Sequence, residues 1–273
     1  MNGMARRMFE LVEPIGVIPY SADEPNETMF ALGFSNYWDV YFAGRAAPLG
    51  LATAEVVDAL FYSFAPGEVA RHIPKVWSTT TPEAALAARQ AGCVQALRRI
   101  LADHVDTPAF ARATALLTKA ATSVPTEGRP MYAALRALPI PDEVVARMFH
   151  AAASLREHRG DGHIVALMAE GVARLEAHAL LALAMDMPAE KFGRIHHLPA
   201  AQLDAVKDGM RARGLIGDDG WLTDEGRAVK QRVEDLTDDL AAKPYEVLSA
   251  SELDELMTLL EPLATALLAT QVS

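Results

Sequence analysis

The chain has 273 residues, 51% of them apolar, and 25 Lys and Arg against 36 Asp and Glu give it a formal net charge of −11. That length suits two domains, or one large α domain with an appendage, and the apolar share can fill a substantial core. The acid excess excludes a non-specific nucleic-acid coat, which needs clustered Lys and Arg, and the single cysteine, Cys93, excludes an internal disulfide.

In chain order, Ala5 to Gly16 reads as an amphipathic helix carrying Met8, Phe9, Leu11 and Val12. Glu10 and Glu13 interrupt what a signal peptide would keep apolar, and no run reaches the roughly 18 to 20 apolar residues of a membrane span. A cytoplasmic protein is the expectation. Val17 to Tyr20 is expected to be extended around Pro19, and a helix over Glu27–Gly33 precedes the aromatic segment from Phe34 to Arg45. Thr53 can cap a helix through Phe64, and Pro66 starts a short one to His72. Thr81 followed by Pro82 is a strong helix start, with a hydroxyl cap and proline at the first position. That helix extends to about His104 with Leu86, Cys93, Leu97, Ile100 and Leu101 inward, and another covers Pro108–Ser123.

Asp142 to His158 predicts a helix ended by Gly160 and Gly162, followed by a long apolar helix over Ile164–Met185. Arg45-Ala46-Ala47-Pro48-Leu49 with Glu55-Val56-Val57 resembles Arg136-Ala137-Leu138-Pro139-Ile140 with Glu143-Val144-Val145. That similarity points either to an internal duplication or to chance between two Pro-capped, Ala-rich helices. Pro188–Leu198 and Pro199–Arg213 read as two helices, the second with Leu203, Val206 and Met210 on one face. Gly214-Leu215-Ile216, Gly217 to Gly220 and Trp221-Leu222-Thr223 then read as strand, turn and return strand, and Thr223–Arg227 opens a helix to Ala242. Ser249 with Glu252 is a capping box for a last helix rich in leucine, which Pro262 should kink. The fold expected is mainly α: a helical N-terminal region over 1–184, with repeat units near 30–105 and 130–184, then a winged helix with a small β-hairpin and a terminal dimerisation helix over 185–273.

Three groups of residues carry chemistry. Trp38, Tyr41 and Arg45 suit the wall of a pocket for a flat, acidic ligand, or else a core helix with Arg45 bridged to Asp39. Arg156, His158, Arg159 and His163 surround the expected helix break at Gly160–Gly162. There, free N–H groups and guanidinium forks would hold a carboxylate or phosphate, unless the break is a Gly-based turn with Asp161 capping the next helix and the arginines on the surface. Metal binding by His158, Asp161 and His163 is a further, non-specific alternative, since they match neither an HExxH nor a Cys/His zinc pattern. On the Pro199–Arg213 helix, Gln202, Lys207, Arg211 and Arg213 are the candidates for double-stranded DNA, opposed by Asp204 and Asp208 one turn apart. His196-His197 reads as a helix-end pair. No Gly-rich phosphate loop, nucleophile elbow or paired-carboxylate motif is present, so no catalytic residue is named, and the cofactor is left open.

Tyr41 to Gly50, Phe61 to Pro66, Leu155 to His163 and Arg211 to Leu215, in this order, resemble the helix-turn-helix proteins of about this length from high-GC Gram-positive bacteria. The resemblance spans nearly the whole chain. It implies a helical N-terminal region joined to a winged helix similar to that of the MarR regulators, with a leucine-rich dimerisation helix. The wing departs from that pattern in its acidic residues. The functional expectation is a homodimeric, small-molecule-responsive DNA regulator; the alternative is a binding or sequestering protein, or an enzyme, whose winged helix does not meet DNA.

Overall fold

The computed structural model describes residues 2–195 and 198–270. The first helices are α1 (Asn2–Gly16), α2 (Ile18–Ser21), α3 (Asp23–Phe30), α4 (Tyr37–Ala46), α5 (Ala54–Leu60), α6 (Glu68–His72), α7 (Pro82–Leu101), α8 (Pro108–Ala121) and α9 (Pro130–Arg136). There follow α10 (Val144–Ala169), α11 (Arg174–Ala184), α12 (Ala200–Ala212), α13 (Asp224–Ala242) and α14 (Ala250–Ala269).

The chain forms two compact units: Met1–Ala52, His72–Asp161 and Asp238–Ser273 make unit 1, and Thr53–Arg71 with Gly162–Thr237 makes unit 2. Unit 1 has a core drawn from Met8, Leu11 and Ile15 of α1, Leu97 and Leu101 of α7, Leu116 and Leu117 of α8 and Met148 of α10, closed by α14. Each such side chain contributes roughly 1.5–3 kcal/mol by leaving water. Unit 2 has its own core, in which Leu180 and Leu183 of α11 join Leu203 and Met210 of α12, Leu215, Ile216 and Val233.

The expected hairpin is corrected. Among the described residues there is no strand; its remnant is one antiparallel bridge between Ile216 and Leu222. The turn forms, with Gly217 N–H donating to the Trp221 carbonyl at 2.9 Å. Its arms, however, are claimed by the flanking helices. Gly214, at φ +71°, and Leu215 donate to the carbonyls of Arg211 and Met210 in a Schellman closure of α12. Thr223 Oγ1 accepts the Gly226 N–H at 3.0 Å as it opens α13. Too little chain is left for a two-stranded sheet, which is marginal even at full length. Among the described residues, therefore, no winged helix in the sense expected from the sequence is formed.

Further differences lie in the helices. The segment around Pro19 is helical (α2), with proline in the first turn where its missing N–H costs nothing. No break occurs at Gly160 and Gly162, because α10 runs through both. The expected helix over Ile164–Met185 is instead broken at Gly171, which takes φ +66°. The first expected helix of the C-terminal part is two 3-10 turns, Ala189–Lys191 and Gly193–Ile195; His196-His197 lies outside the described residues. α14 continues through Pro262, and its leucines 256, 260, 263 and 267 are buried in unit 1 against the rest of its core. No helix among the described residues is long and apolar enough to cross a membrane.

Candidate functional site

Asn36 starts α4 by accepting the Asp39 N–H on its side chain at 2.9 Å. This sets the aromatic residues one turn apart: Trp38 meets Tyr41 edge-on at 5.6 Å, and Tyr41 lies 5.2 Å from Tyr20. Arg45, at the end of α4, donates to Tyr41 Oη and to Glu157, both at 3.3 Å. Arg156 donates to Glu157 at 3.2 Å and to Glu13 at 3.1 Å, and stacks over Tyr20. Burial alone would push the Glu157 carboxyl up; the Arg45 and Arg156 guanidiniums outweigh it and hold it below the usual range. Asp39 is not the partner of Arg45. It is buried and bonded to His72 (2.7 Å), Lys75 (2.9 Å) and Asn36 (2.6 Å). Burial pushes its carboxyl up, and those three bonds reverse the direction.

Trp38, Tyr41, Arg45 and Arg156 are thus brought together, although α4 and α10 are far apart in the chain. The others are not. His158 points at the Tyr132 ring (5.1 Å, 84°), and its carbonyl accepts from Arg129 at 2.7 Å. Arg159 pairs with Asp238 at 2.6 Å and covers the Phe9 ring at 4.3 Å. His163 belongs to unit 2, where its Nδ1 shares a hydrogen bond with Thr237 Oγ1 at 2.9 Å. The N–H groups expected to hold an anion near Gly162 lie mid-helix. Asp161 reaches across to accept the N–H groups of Met131 and Tyr132 at 3.4 and 3.0 Å, capping α9. Burial pushes its carboxyl up to about 6 against those bonds.

Burial, followed by the nearby Arg129 charge, pushes His158 down to about 3. An unfolded chain protonates this histidine near pH 6.5, so the stability it contributes is whole above that pH and drains away as pH falls toward 3. Acidification from pH 7.5 to 5.0 is expected to cost the wild type up to about 2 kcal/mol relative to His158→Phe. Urea midpoints of the two proteins at both pH values check this; parallel losses would refute it.

Space decides where a ligand fits. The void beside Arg45, Arg89, Arg156 and Glu157 measures about 10 Å³, as does the one under Tyr20, Tyr37 and Tyr41. Either holds one water at most. An open groove of about 390 Å³ adjoins them, walled by α7 (Leu86, Ala87, Arg89, Gln90), by Leu135 to Asp142, and by Phe149, His150 and Ala153 of α10. Arg89 lines the groove and both voids. Sequence reasoning passed over Arg89, Gln90 and His150. The signal was there: positions 86, 89, 90, 93 and 97 follow helical spacing, which puts a guanidinium on the apolar stripe of α7.

In unit 2, α12 buries Leu203 and Met210 and leaves Gln202 exposed, with no side-chain bond among the described residues. Its cations are engaged: Lys207 with Glu190 (2.8 Å), Arg211 with Asp208 (2.7 Å) and Arg213 with Glu176 (2.7 Å). Among the described residues no three His, Cys, Asp or Glu side chains are grouped to hold a metal. A family model described as Helix-turn-helix family matches residues 5–273. No curated protein matches the chain, and no solved structure does.

Proposed function

From the premise that the chain belongs to the helix-turn-helix family, we propose that it is a small-molecule-responsive regulator that reads double-stranded DNA with α12. The observation that carries this reading is α12 itself. It is seated on α11 through Leu203 and Met210, with Gln202 exposed and Lys207, Arg211 and Arg213 at or near the surface. A glutamine amide pairs two-fold with an adenine edge in the major groove. The three ion pairs lie at the surface, where each is worth only about 0–1 kcal/mol, so a phosphate can exchange for the carboxylate.

That exchange limits the electrostatic share of binding. Three cations at most can release counterions, so the slope of log K against log salt should be no steeper than about −3. Gel shifts with genomic fragments across a salt series test this: selective retention with that shallow slope is expected, and none at low salt refutes it. The pairing of all three cations with carboxylates favours a second reading, a small-molecule binding or sequestering protein in which α12 serves packing alone. The same titration separates the two.

A further inference from the structure

We propose that the groove between α7, the 135–142 segment and α10 binds a small organic monoanion, a carboxylate or sulfonate on an aromatic or otherwise apolar body, with its acid group on Arg89. The inference deepens the ligand half of the function proposed above and does not depend on DNA binding.

Charge carries it. Arg45, Arg89 and Arg156 lie along one network with two carboxylates, Glu13 and Glu157. Arg45 and Arg156 take both. Arg89 is left with Tyr20 Oη at 3.3 Å and two ring faces, Tyr20 at 5.7 Å and Phe149 at 5.6 Å. No carboxylate among the described residues forms an ion pair with it, although Glu157 feels its charge at longer range; its guanidinium lies over two aromatic rings, and its remaining donors are available to an acid.

The walls supply the rest. Leu86, Leu135, Ile140 and Phe149 give an apolar lining, and the Gln90 amide and His150 imidazole, also on the groove, have no hydrogen-bond partner among the described residues. Burial keeps His150 below its ordinary pKa, so at neutral pH it offers one donor and one acceptor. Few convergent polar groups on an apolar wall, in about 390 Å³, match the small end of the usual range for organic ligands, ~300–1,000 Å³. Asp142, exposed at the rim, disfavours a second negative charge there.

The probe is 8-anilinonaphthalene-1-sulfonate, titrated by fluorescence into the full chain, with N-phenyl-1-naphthylamine as its uncharged counterpart. One saturable site is expected, with the uncharged dye at least tenfold weaker. Arg89→Leu should raise Kd at least tenfold by removing the charged bond. Ala87→Trp, at an exposed wall position, should do so by filling the groove, and it decides the matter if Arg89→Leu does not fold. A merely loosened core would bind more dye, not less. Absence of saturable binding, equal affinity for the uncharged dye, or unchanged affinity in both variants overturns the proposal. So does sedimentation showing that Ala87→Trp dissociates an oligomer, which would make the groove a contact between copies. Dye binding without a gel shift leaves this site standing and removes the DNA reading; the reverse removes the site alone.

Discussion

Glu157→Ala is expected to cost unit 1 about 3–5 kcal/mol, the usual loss when one partner of a buried ion pair is deleted. Glu157 is 6% exposed and lies between Arg45 and Arg156, whose side chains are 16% and 23% exposed. Removing the carboxylate leaves two largely buried guanidiniums facing each other, with Glu13 compensating Arg156 alone. Glu157→Gln keeps an acceptor oxygen and loses the charge, so its loss should be smaller. Adding Arg45→Met to Glu157→Ala should return part of the stability, because the orphaned charge goes with it. By contrast, Glu255→Gln, which breaks an exposed pair with Arg112, should leave the urea midpoint where it was. If Glu157→Ala behaves like Glu255→Gln, the interior network is not formed in solution. High salt should not reproduce the effect, since buried charges are poorly screened.

The fold was legible where the signal is local. Thr81 Oγ1 accepts the Ala84 N–H at 3.2 Å, and Ser249 and Glu252 exchange both bonds of their capping box, at 3.2 and 2.9 Å. These contacts join residues three apart, so four residues of sequence contain them. Gly160 and Gly162 carry the same kind of local signal, about 1 kcal/mol each against helix, and there it is overruled. The helix is held by groups distant in sequence: Arg129 on the His158 carbonyl, Asp238 on Arg159, and Asp161 on the N–H groups of Met131 and Tyr132. Asp161 does cap a helix, but it is α9 and not the stretch that follows it.

The candidate site was misplaced for a related reason. Arg156, His158, Arg159 and His163 form a cluster only while the chain is written as a line. On a helix, neighbours in sequence point about 100° apart, whereas residues three apart share a face. The continuous α10 therefore turns His158 away toward Tyr132, while Arg156 and Arg159 both face α1, at Glu13 and Phe9. Arg45 and the aromatic residues of α4 were recognisable as types, but Glu157, which consumes the charge of Arg45, could not be chosen from 36 acidic residues without coordinates. Once that charge is spent, the guanidinium left over is Arg89, and the space left over is the groove beside it.

Gly226→Ala should have the largest effect in unit 2, and against the usual direction. Within a helix, alanine is favoured over glycine by about 1 kcal/mol. At Gly209 in α12, where an added Cβ meets nothing within 4 Å, that gain should appear. At Gly226 the Cβ would stand 2.0 Å from the Leu215 carbonyl oxygen and 3.2 Å from Leu222 Cδ2. The Leu215 oxygen already accepts the Thr223 N–H at 3.1 Å, while Thr223 Oγ1 accepts from Gly226. Both sides of the clash are backbone held by hydrogen bonds, so no side-chain rotation relieves it. The first turn of α13 must separate from the turn that closes α12, at a cost of roughly 3 kcal/mol or more. Hydrogen exchange should then show lost protection across α12 and the start of α13, with α7 and α8 protected as before. DNA retention should fall with it, and dye binding at the Arg89 groove should not. Opposite signs for two Gly→Ala substitutions in successive helices are hard to obtain from any cause except this contact. Equal stability of Gly226→Ala and wild type would mean that α13 does not press on Leu215, and the geometry that positions α12 as a reading helix would go with it.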